Sequence, residues 1–233
     1  MNSAVVKLAT TDSTNDDIHR LAAEGAPDGT AVVARTMSRG RGSRGRKWHA
    51  GEGGLWLSVL RRPTAAVETG VLSLRTGLVM AAELERSLGR RLALKWPNDI
   101  MVGERKVAGV LCEMRWQGDR AGWVVLGVGC NVTNRLPSEL ESRATTLARL
   151  VPGITVEDIL AQAVAALRRL DVDAPLLRPD ELARFARRDW LEGKTLLRPI
   201  RGTIRGVAPE GFLMVESPGG ASHSIGTADL VLG

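Results

Sequence analysis

Residues 92–132 read LALKWPNDIMVGERKVAGVLCEMRWQGDRAGWVVLGVGCNV, and this stretch decides the fold. Three strand-like runs follow one another closely: 92–102, broken at Trp96-Pro97-Asn98-Asp99, then 106–116, then 123–132. The turns between them, Gly103-Glu104-Arg105 and Gln117-Gly118-Asp119, are short enough for antiparallel hairpins. Such a meander sets Lys95, Asn98, Lys106 and Asn131 on neighbouring strands, where they can converge on one patch.

Working outward, Asp12-Ser13-Thr14-Asn15 offers capping groups to a short helix over 16–25, with acids in its first turn and Gly25 as its stop. The run Gly54-Leu55-Trp56-Leu57-Ser58-Val59-Leu60 reads as a buried strand, and 72–88 carries helical spacing that ends at Gly89. Beyond the meander, 155–170 and 180–191 read as amphipathic helices, and Gly193 closes the helical part. From Lys194 the texture changes to short β-like pieces at 195–200, 202–207, 212–216 and 222–225. So short a tail buries little by itself. The expected fold is α+β, a mixed β-sheet flanked by helices with a small C-terminal β-barrel docked on it, divided into 1–190 and 191–233.

The chain's 233 residues are enough for one good core and a small appendage. A net charge of +6 admits a nucleic-acid partner, but 26 acidic residues lie among 32 basic ones and no basic tail exists. The excess gathers near 39–47, which favours a local anion site over a basic face. Cys112 and Cys130 sit in apolar runs without metal-ligand spacing, and read as buried thiols. The start, Met1-Asn2-Ser3-Ala4-Val5-Val6-Lys7, has no secretory apolar region, and no apolar stretch is long enough to span a bilayer. A cytoplasmic protein with no membrane partner is expected.

Gly40-Arg41-Gly42-Ser43-Arg44-Gly45-Arg46-Lys47-Trp48 is a basic glycine-rich loop entered from the apolar run Thr30–Ala34. Glycine lets backbone N–H groups approach a ligand, and arginine supplies flat, multi-donor charge for carboxylate or phosphate. Residues 40–45 also fit Gly-x-Gly-x-x-Gly, but a dinucleotide fingerprint should open a helix, and His49-Ala50-Gly51-Glu52-Gly53-Gly54 is a poor one. The P-loop is missed because Arg46-Lys47 stand where Lys and Ser or Thr are required. A solvated loop, or an arginine-glycine segment touching nucleic acid, remains the alternative; the strands that frame the loop count against it.

Asp12-Ser13-Thr14-Asn15, the 40–48 loop, Lys95-Trp96-Pro97-Asn98-Asp99-Ile100, Lys106-Val107-Ala108-Gly109-Val110-Leu111-Cys112-Glu113 and Gly127-Val128-Gly129-Cys130-Asn131-Val132 together resemble the biotin protein ligases, in order and spacing. The resemblance implies a fold related to class II aminoacyl-tRNA synthetases and lipoate ligases, with a C-terminal β-barrel. It implies two half-reactions: biotin and MgATP give biotinyl-5′-adenylate and pyrophosphate, then a lysine of a biotin carboxyl carrier domain attacks the mixed anhydride. Joining a carboxylate to a triphosphate needs positive charge to quench their repulsion. By the same resemblance Ser13, Thr14 and Asn15 line the biotin pocket, beside Met37, Gly40, Gly42 and Ser43. Arg41 and Lys106 meet the carboxylate and the reacting phosphate, and Gly109 permits close ligand approach. Trp48, Lys95, Asn98 and Asn131 serve the nucleotide, and Asp99 is a candidate for helping to hold Mg²⁺, which binds mainly through phosphates. As structural alternatives, Ser13 suits a helix N-cap, Trp48 a core position and Lys106 a solvated strand start. A homodimer is allowed by the resemblance and decided by no residue. The short run before Asp12 leads us to expect no helix-turn-helix and no DNA binding.

Two positions depart from the family pattern. Met37 stands where these ligases usually carry a glutamine that bonds the polar head of biotin, which removes a donor and an acceptor and opens the alternative of a lipoate or octanoate ligase. Ser43 replaces the second arginine of the usual Gly-Arg-Gly-Arg. A hydrogen bond to a charged group is worth about 1.5–3 kcal/mol, so loose retention of the adenylate is expected unless Arg44 or Arg46 takes over. A non-catalytic nucleic-acid binder remains the rival from a different class.

Overall fold

The structure, a computed structural model, describes residues 4–118, 120–226 and 228–233. Asp119 of the second expected turn and Met1-Asn2-Ser3 of the start lie outside the described residues. In chain order the main body contains strand β1 (Val5–Thr11), helix α1 (Thr14–Ala23), β2 (Ala31–Met37), β3 (Leu55–Arg61), α2 (Thr69–Leu88), β4 (Ala93–Lys95), β5 (Asp99–Val102), β6 (Arg105–Gln117), β7 (Arg120–Cys130), α3 (Val156–Arg168) and α4 (Pro179–Ala186). These strands form one seven-stranded sheet, ordered β1-β2-β3-β7-β6-β5-β4.

The expected meander is the β5-β6-β7 half of that sheet, antiparallel throughout, with Gly109 opposite Asp99 on one side and Gly129 on the other. β1 was not foreseen from the sequence. It pairs parallel with β2 through the α1 crossover, which makes the sheet mixed. Alternation along each strand divides the core. Leu55, Leu57 and Val59 join the large cluster under α2 and α3, while Leu60, Val32, Val125 and Trp123 pack with Ile18 and Ala22 of α1 on the other face. Both faces of β3 are therefore covered.

Capping explains the helix ends. Thr155 at the start of α3 accepts from the Asp158 N–H, and Asp158 returns a bond to the Thr155 N–H. α2 ends at Gly89, whose left-handed φ of 60° lets its N–H reach the Glu85 carbonyl. α4 stops at Ala186, short of the expected 191, because the edge strand β4 takes the following backbone. Leu94 N–H donates to the Arg188 carbonyl, and Trp190 N–H to the Leu94 carbonyl.

The tail forms β8 (Thr195–Arg198), β9 (Gly202–Val207), β10 (Leu213–Glu216), β11 (Ser222–Ile225) and the unforeseen β12 (Val231–Leu232). Its order is β11-β10-β9-β8-β12, an open five-stranded sheet, so the expectation of a closed barrel is corrected. The reason is where its apolar face goes: Leu196, Ile204, Leu213, Val215 and Ile225 belong to the same core cluster as α2 and β4. Packing on the main body covers that face without the sheet rolling up. Trp96 fixes the contact by donating its indole N–H to the Gly211 carbonyl at 2.9 Å.

Candidate active site

A cavity of about 480 Å³ opens between the start of α1, the glycine-rich loop and the β5-β6-β7 meander. Ser13, Thr14, Asn15, Met37, Arg41, Gly42, Ser43, Trp48, Lys95, Asn98, Asp99, Lys106, Gly109 and Asn131 all line it. Gly40 alone of the expected residues does not. It sits behind, where a Cβ would lie 2.6 Å from the Trp48 carbonyl, and its own carbonyl accepts the Trp48 N–H. Gly40 thus closes the loop's base.

At the inner end, Ser13 occupies the N-cap position of α1 without a capping bond from its side chain. Thr14, Asn15 and Ser58 are buried together, and Ser58 Oγ lies 2.8 Å from Thr14 Oγ1 and 2.6 Å from Asn15 Oδ1. The Asn15 amide donates to Glu113 Oε2 at 2.6 Å and to the Leu111 carbonyl at 3.3 Å. The Met37 sulfur closes this end, 3.5 Å from the Thr14 N–H.

Charge gathers in the middle. Lys106 Nζ lies 2.5 Å from Asp99 Oδ1 and 4.8 Å from the Trp48 ring centroid. Arg41 grips the Asp16 carboxylate through both terminal nitrogens; that contact holds Asp16 below the usual carboxylate range and raises Arg41. Arg41 and Asp16 keep 39% and 50% of their side chains in water, where an ion pair is weak, and Lys106 has no carboxylate but Asp99 within reach among the described residues, so an incoming anion can compete with either acid. A Cβ at Gly109 would meet Lys106 Nζ at 2.9 Å and Trp48 at 3.3 Å, so the missing side chain leaves room for those two groups at the cavity wall.

The loop folds back through an Arg41–Lys47 bridge and a Gly42 N–H bond to the Arg46 carbonyl. Only a short turn at Ser43–Gly45 is helical, which removes the dinucleotide reading. Arg35, Arg39, Arg41 and Arg44 are paired with Glu52, Asp12, Asp16 and Asp229. Arg44 leaves the cavity for Asp229 and the Ala228 carbonyl. Arg46 stays on its rim, held by Ser43 through Oγ at 3.1 Å.

At the outer end, Asn98 donates to the Val110 carbonyl at 2.8 Å and the buried Asn131 accepts from Asn134 at 3.1 Å. The buried indole N–H of Trp48 has no partner among the described residues, a donor suited to a planar heterocycle. Sequence reasoning missed Trp190 and Arg143, which line this end, and Lys194 beside it. Lys95 and Lys194 both sit over the Trp190 ring, at 4.7 and 3.4 Å. It also missed Ser58 and any role for Glu113; the even spacing of Trp56, Ser58 and Leu60 could have pointed to Ser58.

No helix of the described residues is long and apolar enough to cross a membrane. The arrangement can hold an elongated ligand with a polar head at one end, a planar group at the other and anionic groups between. Comparison with known proteins agrees. The model of the biotin/lipoate A/B protein ligase family matches residues 8–131. The bifunctional ligase/repressor BirA of Bacillus subtilis is 39% identical over 142 residues, which are 59% of this chain and 44% of that protein, so the match spans under half the length of that relative. The biotin–[acetyl-CoA-carboxylase] ligase of Paracoccus denitrificans is 30% identical over 91% of this chain and 94% of its own length. The biotin protein ligase from Aquifex aeolicus, solved in complex with biotin and ATP, superposes with a TM-score of 0.81 at 28% identity over 99% of both chains.

Proposed function

The chain belongs to the biotin/lipoate A/B protein ligase family, and we propose that it is an ATP-dependent biotin–protein ligase acting on a lysine of a biotin carboxyl carrier domain. In the first step a carboxylate oxygen of biotin attacks the α-phosphorus of ATP and pyrophosphate leaves, giving biotinyl-5′-adenylate. In the second the lysine amine attacks the acyl carbon, loses its proton and expels AMP. One observation carries the reading: the polar side chains of Ser13, Thr14 and Asn15, the last two backed by buried Ser58, face a single cavity with the cations Arg41 and Lys106.

The roles follow from position. Ser13, Thr14 and Asn15 take the cyclic urea, with Met37 against it. Lys106 and Arg41 exchange Asp99 and Asp16 for the carboxylate and α-phosphate, where charge builds up as the phosphorus becomes pentavalent. Trp48, Asn98 and Asn131 take adenine, and Lys95 the phosphates. A protein-caged Mg²⁺ does not fit: no group of three His, Cys, Asp or Glu converges among the described residues, and Asp99 would be at most a single protein ligand. The ion of MgATP would ride on the triphosphate.

Further parts of this reading are a catalytic unit at 1–190 and a second unit at 191–233, supported by the switch of sheets after α4. A cytoplasmic setting is supported by two free, buried cysteines. Mass spectrometry of the protein with MgATP plus biotin, lipoate and octanoate tests the assignment. Biotinyl-adenylate is the expected product; a lipoyl or octanoyl adenylate moves the chain to the sister activity, and no adenylate removes the ligase reading.

A further inference from the structure

Glu113 lies outside the cavity lining, yet its carboxylate is wired to it. Oε2 accepts the Asn15 amide at 2.6 Å and faces His19 Nε2 at 3.6 Å. His19 Nδ1 accepts the indole N–H of Trp123 at 3.0 Å, and since indole only donates, the proton of a neutral His19 sits on Nε2, toward Glu113. The contact with His19 holds Glu113 below the usual carboxylate range, with Asn15 helping and burial opposing. At neutral pH Glu113 is therefore an acceptor only.

That charge fixes a chain of protons. Both Asn15 N–H bonds go to Glu113 and the Leu111 carbonyl, so Oδ1 must face Ser58. Turned over, the amide would set its oxygen against two other acceptors. Asn15 Oδ1 can only accept, so it takes the single Ser58 proton; with that proton spent, Ser58 Oγ can only accept across the 2.8 Å to Thr14 Oγ1, which turns the Thr14 hydroxyl toward Ser58 in preference to the Met37 sulfur at 3.7 Å. Thr14 is left with lone pairs, next to the thioether of Met37, which is a weak acceptor. The donors of this cluster are used up internally.

We propose that Glu113, braced by His19 and Trp123, is a positioning residue that sets the hydrogen-bond polarity of the acid pocket, making its inner wall accept N–H donors and thereby select a cyclic urea over an alkyl or dithiolane acid. This inference rests on the ligase reading above and extends it to acid specificity. It accounts for selectivity without the glutamine that Met37 replaces: a urea brings two N–H groups, whereas an alkyl end would bury those lone pairs unpaired.

The test exchanges the polarity of the pair. Calorimetric titration of biotin and of octanoate into the full-length protein is compared for wild type, Asn15→Asp and the double variant Asn15→Asp/Glu113→Gln. Asn15→Asp sets two carboxylates together and is expected to weaken biotin about 10- to 100-fold. Adding Glu113→Gln returns a donor facing an acceptor at unchanged total charge, and is expected to recover most of that loss. Failure of the second change to restore biotin, or an equal loss for octanoate, overturns the inference while wild-type binding of biotin keeps the ligase reading. Glu113→Ala supplies an independent check: it should lower the biotin-to-octanoate preference with the KM for ATP unmoved, and an unaltered preference overturns the proposal. Wild type binding neither acid removes both.

Discussion

Arg75 and Arg41 carry the same group to opposite ends. Arg75 is 2% exposed and spends all five N–H bonds, on both oxygens of Glu181 and on the carbonyls of Asp171, Ala174 and Leu176. It pins the segment between α3 and α4 to α2. Arg41 is 39% exposed and holds Asp16 alone. Lys106, less exposed at 25%, likewise has one carboxylate, Asp99, as its partner. The difference teaches that completeness of the partner set separates a structural cation from one that can take the working role proposed for Arg41 and Lys106. A full set cannot be traded for a ligand; a half-full one in contact with water can.

The largest effect expected is on the working side. Lys106→Ala should cut adenylate formation at least about a hundredfold while costing less stability than the loss of a fully buried pair, since the Lys106 and Asp99 side chains keep 25% and 21% of their surface exposed. Normal turnover would break the contrast. On the structural side, Glu181→Ala strands a buried guanidinium and should cost about 3–5 kcal/mol of stability, read by urea denaturation; a loss no larger than that of Lys106→Ala would erase the distinction.

A smaller effect concerns the loop. Ser43→Arg should slow release of adenylate into the filtrate by about tenfold, because Arg44 is committed to Asp229 and Ala228. Unchanged release would mean that Arg46, held at the rim by Ser43, already serves as the clamp. The smallest effect concerns a carboxylate with no cation beside it. Burial pushes Asp189 up to about 6 from 3.8. Between those values the folded chain keeps a proton that the unfolded chain has lost, so stability falls as pH rises through this window. Asp189→Asn should add about 1 kcal/mol at pH 7, and the gain should vanish near pH 4; a pH-independent difference would show that charge is not the cause.

The sequence made local matters plain and left distant ones obscure. The meander was legible because its runs alternate and its turns are two or three residues of Gly, Asp and Glu, and α3 because Thr155 and Asp158 form a capping box within one turn. β1 escaped notice because parallel pairing with β2 depends on a crossover, which no short window records. The barrel was overcalled because strand spacing does not say what covers a sheet. At the site, the residues carried by motifs reached one cavity, Gly40 excepted. Glu113 and His19 were out of reach for a different reason: their partners Asn15 and Trp123 lie 98 and 104 positions away along the chain. Only folding reveals those distances.

The glycines of the central strands couple distant positions. A Cβ at Gly127 would fall 2.3 Å from Asn15 Oδ1, and one at Gly129 would fall 2.8 Å from the Trp48 indole. The missing methyl groups are therefore moulds already filled by side chains from elsewhere. Descent must respect this. A Cβ added at 129 would displace the Trp48 indole, and one added at 127 would displace the Asn15 amide and press on the Leu111 carbonyl at 2.8 Å. A substitution at either glycine therefore asks for a second change where its space is filled.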